Sequence, residues 1–151
     1  MSLDVFDEFK NDTNAENQGV WLPLKGHSKV KVARAGNDNW TAEYQRLGRR
    51  LRSMFENGEL DEGQSADIIA KLMARTILKD WDGLAQGGEE IPYTESKAYE
   101  LLYNLPDFRK RVMDLAMDEQ NFRERTIQQD LGNSKSGSAG STATETTSSS
   151  S

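Results

Sequence analysis

Cysteine is absent from this 151-residue sequence and histidine occurs once. The first absence excludes disulfide scaffolds, thiolate metal sites and cysteine nucleophiles, and it suits a reducing cytoplasm. The second excludes a multi-histidine metal site or a zinc-protease motif within the chain. Proline is scarce at 3 residues, and no apolar run approaches the roughly 20 residues of a membrane span. The N-terminus lacks the basic and apolar pattern of a signal peptide. What is present is charge: 25 acids against 19 bases give a net charge of -6, with 35% hydrophobic residues and a mean hydropathy of -0.79. The low hydropathy comes from polar ends rather than a polar middle, so the expectation is one soluble intracellular domain.

Residues 1–19 carry Asp4, Asp7, Glu8, Asp12 and Glu16 against Lys10, and read as a flexible acidic arm. The last 20 residues, 132–151, hold 12 Ser or Thr and no large apolar side chain, so a disordered tail is expected there. Residues 20–131 remain as the folded domain. Gly19 to Leu24 and Lys29 to Arg34 flank the turn Lys25-Gly26-His27-Ser28 and predict a β-hairpin, with Pro23 confining its strand to an edge or a bulge. Beyond the Asn37-Asp38-Asn39 caps, Trp40, Tyr44, Leu47, Leu51, Met54 and Phe55 predict a helix that ends at Glu56, before Asn57-Gly58. A second helix is expected from Glu62 to Lys79, a third after the Thr94 cap with Ala98, Leu101 and Leu102. Pro106 opens a fourth, with Phe108, Val112, Leu115, Ala116 and Phe122 and a weak extension through Ile127 and Leu131. The expected fold class is mainly α, a four-helix domain with an N-terminal β-hairpin packed on it. Trp81 and Tyr93 are expected to anchor the loop between the second and third helices in the core, leaving Gly87-Gly88 exposed.

No catalytic, cofactor or metal residue emerges from this pattern. His27 sits in a turn with no acid nearby to orient it, and Asp80 and Asp82 flank Trp81 at a spacing that shares no helix face, which reads as a helix C-terminus and a turn. Asp114 and Asp118 do share a face, but Lys110 one turn earlier makes a solvated charged surface the better reading. Gln86-Gly87-Gly88 lacks the following Lys-Ser or Lys-Thr of a phosphate-binding loop. The basic residues are less bland. Lys25, Lys29, Lys31 and Arg34 with Arg46, Arg49, Arg50 and Arg52 form a local positive stretch in an acidic chain, and Trp40 or Tyr44 could stack on bases. A small nucleic-acid-binding regulator is therefore carried as the alternative function, below an anionic protein partner or ordinary solvated charge; the acidic arm itself could cover the basic hairpin.

The strand Lys29 to Arg34 before Asn39 and Tyr44, the phrase Ile77-Leu78-Lys79-Asp80-Trp81-Asp82-Gly83-Leu84, then Ile91-Pro92-Tyr93-Thr94 and Ala98 before Leu101-Leu102, together resemble the tail assembly chaperones of long-tailed bacteriophages. Phe108, Val112, Ala116 and Phe122 continue the likeness, which spans about residues 20 to 125. The resemblance implies a non-enzymatic helical protein of the host cytoplasm that binds the tape-measure protein, keeps it soluble and is absent from the mature virion. It also implies recruitment of tail-tube subunits through a longer form made by translational frameshifting, near Gly132-Asn133-Ser134-Lys135. Self-association is compatible with it. No partner-binding residue follows from the sequence, because Met54, Met73, Met113 and Met117 serve a core as well as a surface.

Overall fold

The computed structural model describes residues 2–124; the Ser/Thr-rich segment 132–151, Ile127 and Leu131 lie outside the described residues. Among the described residues two compact units are present, one of residues 11–122 and one that joins residues 2–10 to residues 123–124. In the larger unit, α2 (Thr13–Gln18) leads into β1 (Val20–Pro23) and β2 (Lys29–Val32). Then come α3 (Asp38–Gln45), α4 (Arg49–Glu56), α5 (Glu62–Thr76), β3 (Leu78–Asp82) and the short strands β4 (Ala85–Gln86) and β5 (Glu89–Glu90). Helices α6 (Glu95–Asn104) and α7 (Pro106–Met117) and a 3-10 turn at Glu119–Phe122 complete it.

This corrects the expected fold class. The described residues form a mixed α/β structure with seven helices, α1 of the smaller unit included, and two small antiparallel sheets. It is not a four-helix domain carrying a single hairpin. Three differences produce the change. The predicted second helix stops at Thr76, and the following residues pair as β3 with β2, giving a three-stranded sheet of order β1-β2-β3. A register shift opposite Lys31 and Val32 inserts one extra residue into β3. That bulge lets Leu78 and Trp81, three apart, both face inward, whereas a regular strand would send them to opposite sides.

The predicted first helix is two helices, because Gly48 adopts φ 86 and breaks the chain between them. A left-handed residue cannot continue an α-helix, and glycine takes that conformation without a Cβ penalty. The fourth helix ends at Met117, so Phe122 reaches the interior from a 3-10 turn instead of a helix face. Val20 and Leu22 of β1 face inward while Trp21 and Pro23 face out, and Pro23 sits on an edge strand where its missing N–H leaves no gap in the ladder.

The core is a layer of sheet on helices. Val30, Val32, Leu78 and Trp81 meet Ala70, Met73 and Ala74 of α5, Ile77 just after it, and Ala98, Leu102, Val112 and Ala116 of α6 and α7. Helix α5 is central and opens on a capping box in which the Asp61 carboxylate accepts from Gln64 N at 2.7 Å and the Gln64 side chain accepts from Asp61 N at 3.1 Å. In the smaller unit, α1 (Val5–Phe9) is capped by Asp4, whose Oδ1 accepts from Phe6 N and Asp7 N, both at 3.1 Å. Glu124 N donates to Lys10 O at 2.9 Å, and the Arg123 guanidinium lies 5.2 Å from the Phe9 ring centroid.

Candidate functional site

The titratable residues singled out in the sequence do not converge. His27 is exposed in the turn between β1 and β2. Asp80 and Asp82 belong to β3, where residues two apart do share a face, so the reading as a helix end and a turn is corrected. Their cross-strand partners are Lys31 and Lys29, and Asp80 Oδ1 also accepts from Trp81 N at 2.8 Å. Asp114 pairs with Lys110 at 3.1 Å on an exposed helix face, while Asp118 caps the end of α7. Among the described residues, no group of three or more His, Asp or Glu is placed to hold a metal ion. Gly87 and Gly88, at φ 60 and 84, form the two-residue turn of the β4–β5 hairpin, a geometry that glycine pairs favour.

The loop around that hairpin is fixed as expected. Trp81 is 6% exposed, its indole N–H donates to Ile91 O at 2.6 Å, and its ring meets Tyr93 edge-on at 4.9 Å. The Tyr93 hydroxyl donates to Leu78 O at 2.8 Å, and burial pushes its ionisation upward. The exposed Gly87-Gly88 turn projects beyond this clamp.

The basic stretch is largely engaged within the chain. Arg34 pairs with Glu16 at 2.7 Å, Arg46 and Arg75 share Glu43 at 2.6 and 3.4 Å, and Arg52 donates to Gln45 O at 2.7 Å. Lys29 Nζ stands 4.9 Å from the Trp21 ring centroid. Arg49 and Arg50 are exposed at the start of α4. Of the rings considered for stacking, Trp40 packs against the core and Tyr44 turns to Phe55 and donates to the Glu56 carboxylate, which raises its pKa. Glu43, Arg46, Leu47, Arg75 and Glu95 line an open, polar cleft in which acids and bases balance.

Two arrangements were invisible in the sequence. Asn37, foreseen as a cap, is itself buried: Oδ1 accepts from Asn39 N and Trp40 N at 2.8 and 3.0 Å, and Nδ2 donates to Arg34 O and Thr76 O at 2.7 and 2.9 Å. One side chain thus ties the start of α3 to the end of α5. On the far side of α5, Tyr99 stacks on Tyr103 and donates to Asp67, which also holds Lys71 at 3.0 Å. That hydrogen bond pushes the Tyr99 pKa up to about 12, and the same bond, aided by Lys71 against desolvation, holds the Asp67 carboxyl below its ordinary value.

Several apolar side chains are left outside the core: Leu3, Val5, Phe6 and Phe9 around α1, Trp21 on the sheet, Tyr103 and Leu105 at the α6–α7 junction, and Met117 at the end of α7. No helix among the described residues is long and apolar enough to cross a membrane. These surfaces are the candidate functional features among the described residues, and exposed apolar side chains of this kind suit contact with a partner. In comparisons with known proteins, residues 35–133 match the family model of the YdaY prophage protein. No curated protein and no solved structure gives a significant match.

Proposed function

The chain belongs to the YdaY prophage protein family, and from that premise we propose that it is a non-enzymatic tail assembly chaperone that binds the tape-measure protein of its phage. The observation that carries this reading is the set of apolar side chains on α6 and α7, within the matched stretch, that the finished core does not use: Tyr103, Leu105 and Met117. A tape-measure protein presents long helices with apolar faces before assembly, and covering them requires such side chains on a rigid support. The ordered phrases around Trp81-Asp82-Gly83 and Pro92-Tyr93-Thr94 support the same reading, since they build the clamp that sets α6 in place. The protein would act in the host cytoplasm, and a longer frameshifted form would bring in tail-tube subunits.

Co-expression with the tape-measure protein of the same prophage tests this. The expected result is a soluble tape-measure protein that co-purifies with this chain, and weaker recovery when Leu105 and Met117 are both replaced by Ser. A tape-measure protein equally insoluble with and without the chain would overturn the proposal.

A further inference from the structure

We propose that the chain forms a symmetric dimer through α4, two copies of which pack antiparallel along the flank turned away from α3. Helix α4 carries its charges in the order that works against its own dipole. Its first four residues include Arg49, Arg50 and Arg52 with no acid, and its last turn holds Glu56 with no base. No side chain caps its N-terminus to offset that cost. Glu59 joins the acidic end, because its N–H donates to Met54 O at 2.9 Å and folds the chain back against the helix. From Glu56 to Glu62 there are four acids and no base.

The rest of the chain does not cancel this polarity. Arg49 and Arg50 are exposed, and the positions three and four residues away on either side hold no acid. Glu43, the nearest acid before the helix, is already shared by Arg46 and Arg75, and Arg52 is turned to the Gln45 carbonyl. Among the described elements α3 is the main support of α4, and it is met by Arg52, Phe55 and Glu56. Arg50 and Met54, one turn apart, therefore share the opposite flank, with the small, exposed Ser53 beside them at mid-helix. A second copy laid antiparallel satisfies both ends at once. Arg49 and Arg50 of each copy face Glu56 and Glu59 of the other, each dipole end meets its opposite, and Ser53 lets the two axes approach while the Met54 side chains cover one another. A parallel pair would set arginines against arginines. The contact runs over only about 12 Å of helix, so the dimer belongs to high concentration and low salt. The tail-assembly reading is independent of it, since that rests on Tyr103, Leu105 and Met117.

Light scattering on the full chain at high micromolar concentration and low salt tests it. The expected mass is twice 17.0 kDa, falling to that of one chain as salt is raised. A chain with Arg49→Glu and Arg50→Glu, acidic at both ends of α4, should be a monomer with an unchanged circular dichroism spectrum. So should a chain with Glu56→Lys and Glu59→Lys, basic at both ends. Mixed, the two should pair as a heterodimer, because every end again meets its opposite. Ser53→Arg, which leaves both charged ends in place and fills the centre of the contact, should also give a monomer, whereas Met117→Ser should remain dimeric. A wild-type chain that stays monomeric overturns the proposal. So does a dimer that survives Arg49→Glu with Arg50→Glu or Ser53→Arg, and so does a mixture of the two charge-reversed chains that fails to associate.

Discussion

Helices α4 and α5 follow one another in the chain and both look amphipathic, yet they have different fates. Helix α5 buries Ile68, Ala70, Leu72, Met73, Ala74 and Thr76, whereas α4 buries nothing, although it carries Leu51, Met54 and Phe55 at helical spacing. The apolar side of α4 meets Tyr44 of α3, and its ties are peripheral ones: the Tyr44 hydroxyl to Glu56, Arg52 to the Gln45 carbonyl. An apolar stripe reports that a helix leans on something. It does not report whether that something is the core or a neighbouring helix at the rim.

Substitutions ranked by depth would break or sharpen this contrast. The largest effect is expected for Trp81→Ala, which empties a ring-sized space between β3 and α5–α7 and orphans the Ile91 carbonyl; about 3 to 5 kcal/mol should be lost in urea unfolding. Next is Asn37→Ala, at about 2 kcal/mol, from the lost cap together with a buried Thr76 carbonyl left without its donor. Leu51→Ala on the rim should cost about 1 kcal/mol, well below the range for a buried leucine such as Leu102. If Leu51→Ala cost as much as Leu102→Ala, α4 would have to be counted with the core after all.

Tyr99→Phe should cost about 1 kcal/mol near neutral pH, and its pH dependence identifies the cause. Because the folded Asp67 has a lowered pKa, its share of stability is present above the ordinary carboxylate value and is lost as pH falls through the folded one. Because the folded Tyr99 is raised to about 12, its share is present below the ordinary tyrosine value of 10.0 and is lost as pH climbs from there to about 12. The gap between wild type and Tyr99→Phe should therefore stay flat between about pH 5 and 9 and close at both extremes. A gap independent of pH would mean that stacking on Tyr103, not the hydrogen bond, sets the cost. The smallest change, under about 0.5 kcal/mol, is expected for Trp21→Ala, since much of that ring is in water.

The same contrast explains which parts of the fold were legible. The caps at Asn37 and Thr94 were readable because each acts on residues two or three positions away, and Pro106 because a proline suits the first position of a helix. Strand β3 was not, since its bulge places Leu78 and Trp81 inward at a separation of three, a spacing that extends the stripe of α5 and imitates a helix. The break at Gly48 was masked for a related reason: Tyr44, Leu47, Leu51 and Phe55 keep helical spacing across it because both short helices turn their apolar sides to the same cluster. For the candidate surfaces, the Trp81–Tyr93 clamp could be foreseen from two large aromatics flanking a Gly-rich loop. The Asn37–Thr76 tie and the sharing of Glu43 by Arg46 and Arg75 could not, because those partners lie about 30 to 40 positions apart or depend on which way α3 faces α5.

The β4–β5 hairpin hangs from a closed base. Trp81 holds the Ile91 carbonyl, Ile91 N donates to the Leu84 carbonyl at 2.8 Å, and nothing on Ala85, Gln86, Glu89 or Glu90 is buried. Strain introduced at the tip would be absorbed before it reached the sheet. Over evolutionary time such a loop is free to lengthen, shorten or change charge while the rest of the chain stays under selection for packing, so related chains should differ most in length here. A short peptide label inserted between Gly87 and Gly88 would occupy the same tolerant position, giving a handle on the protein that leaves its core as it is.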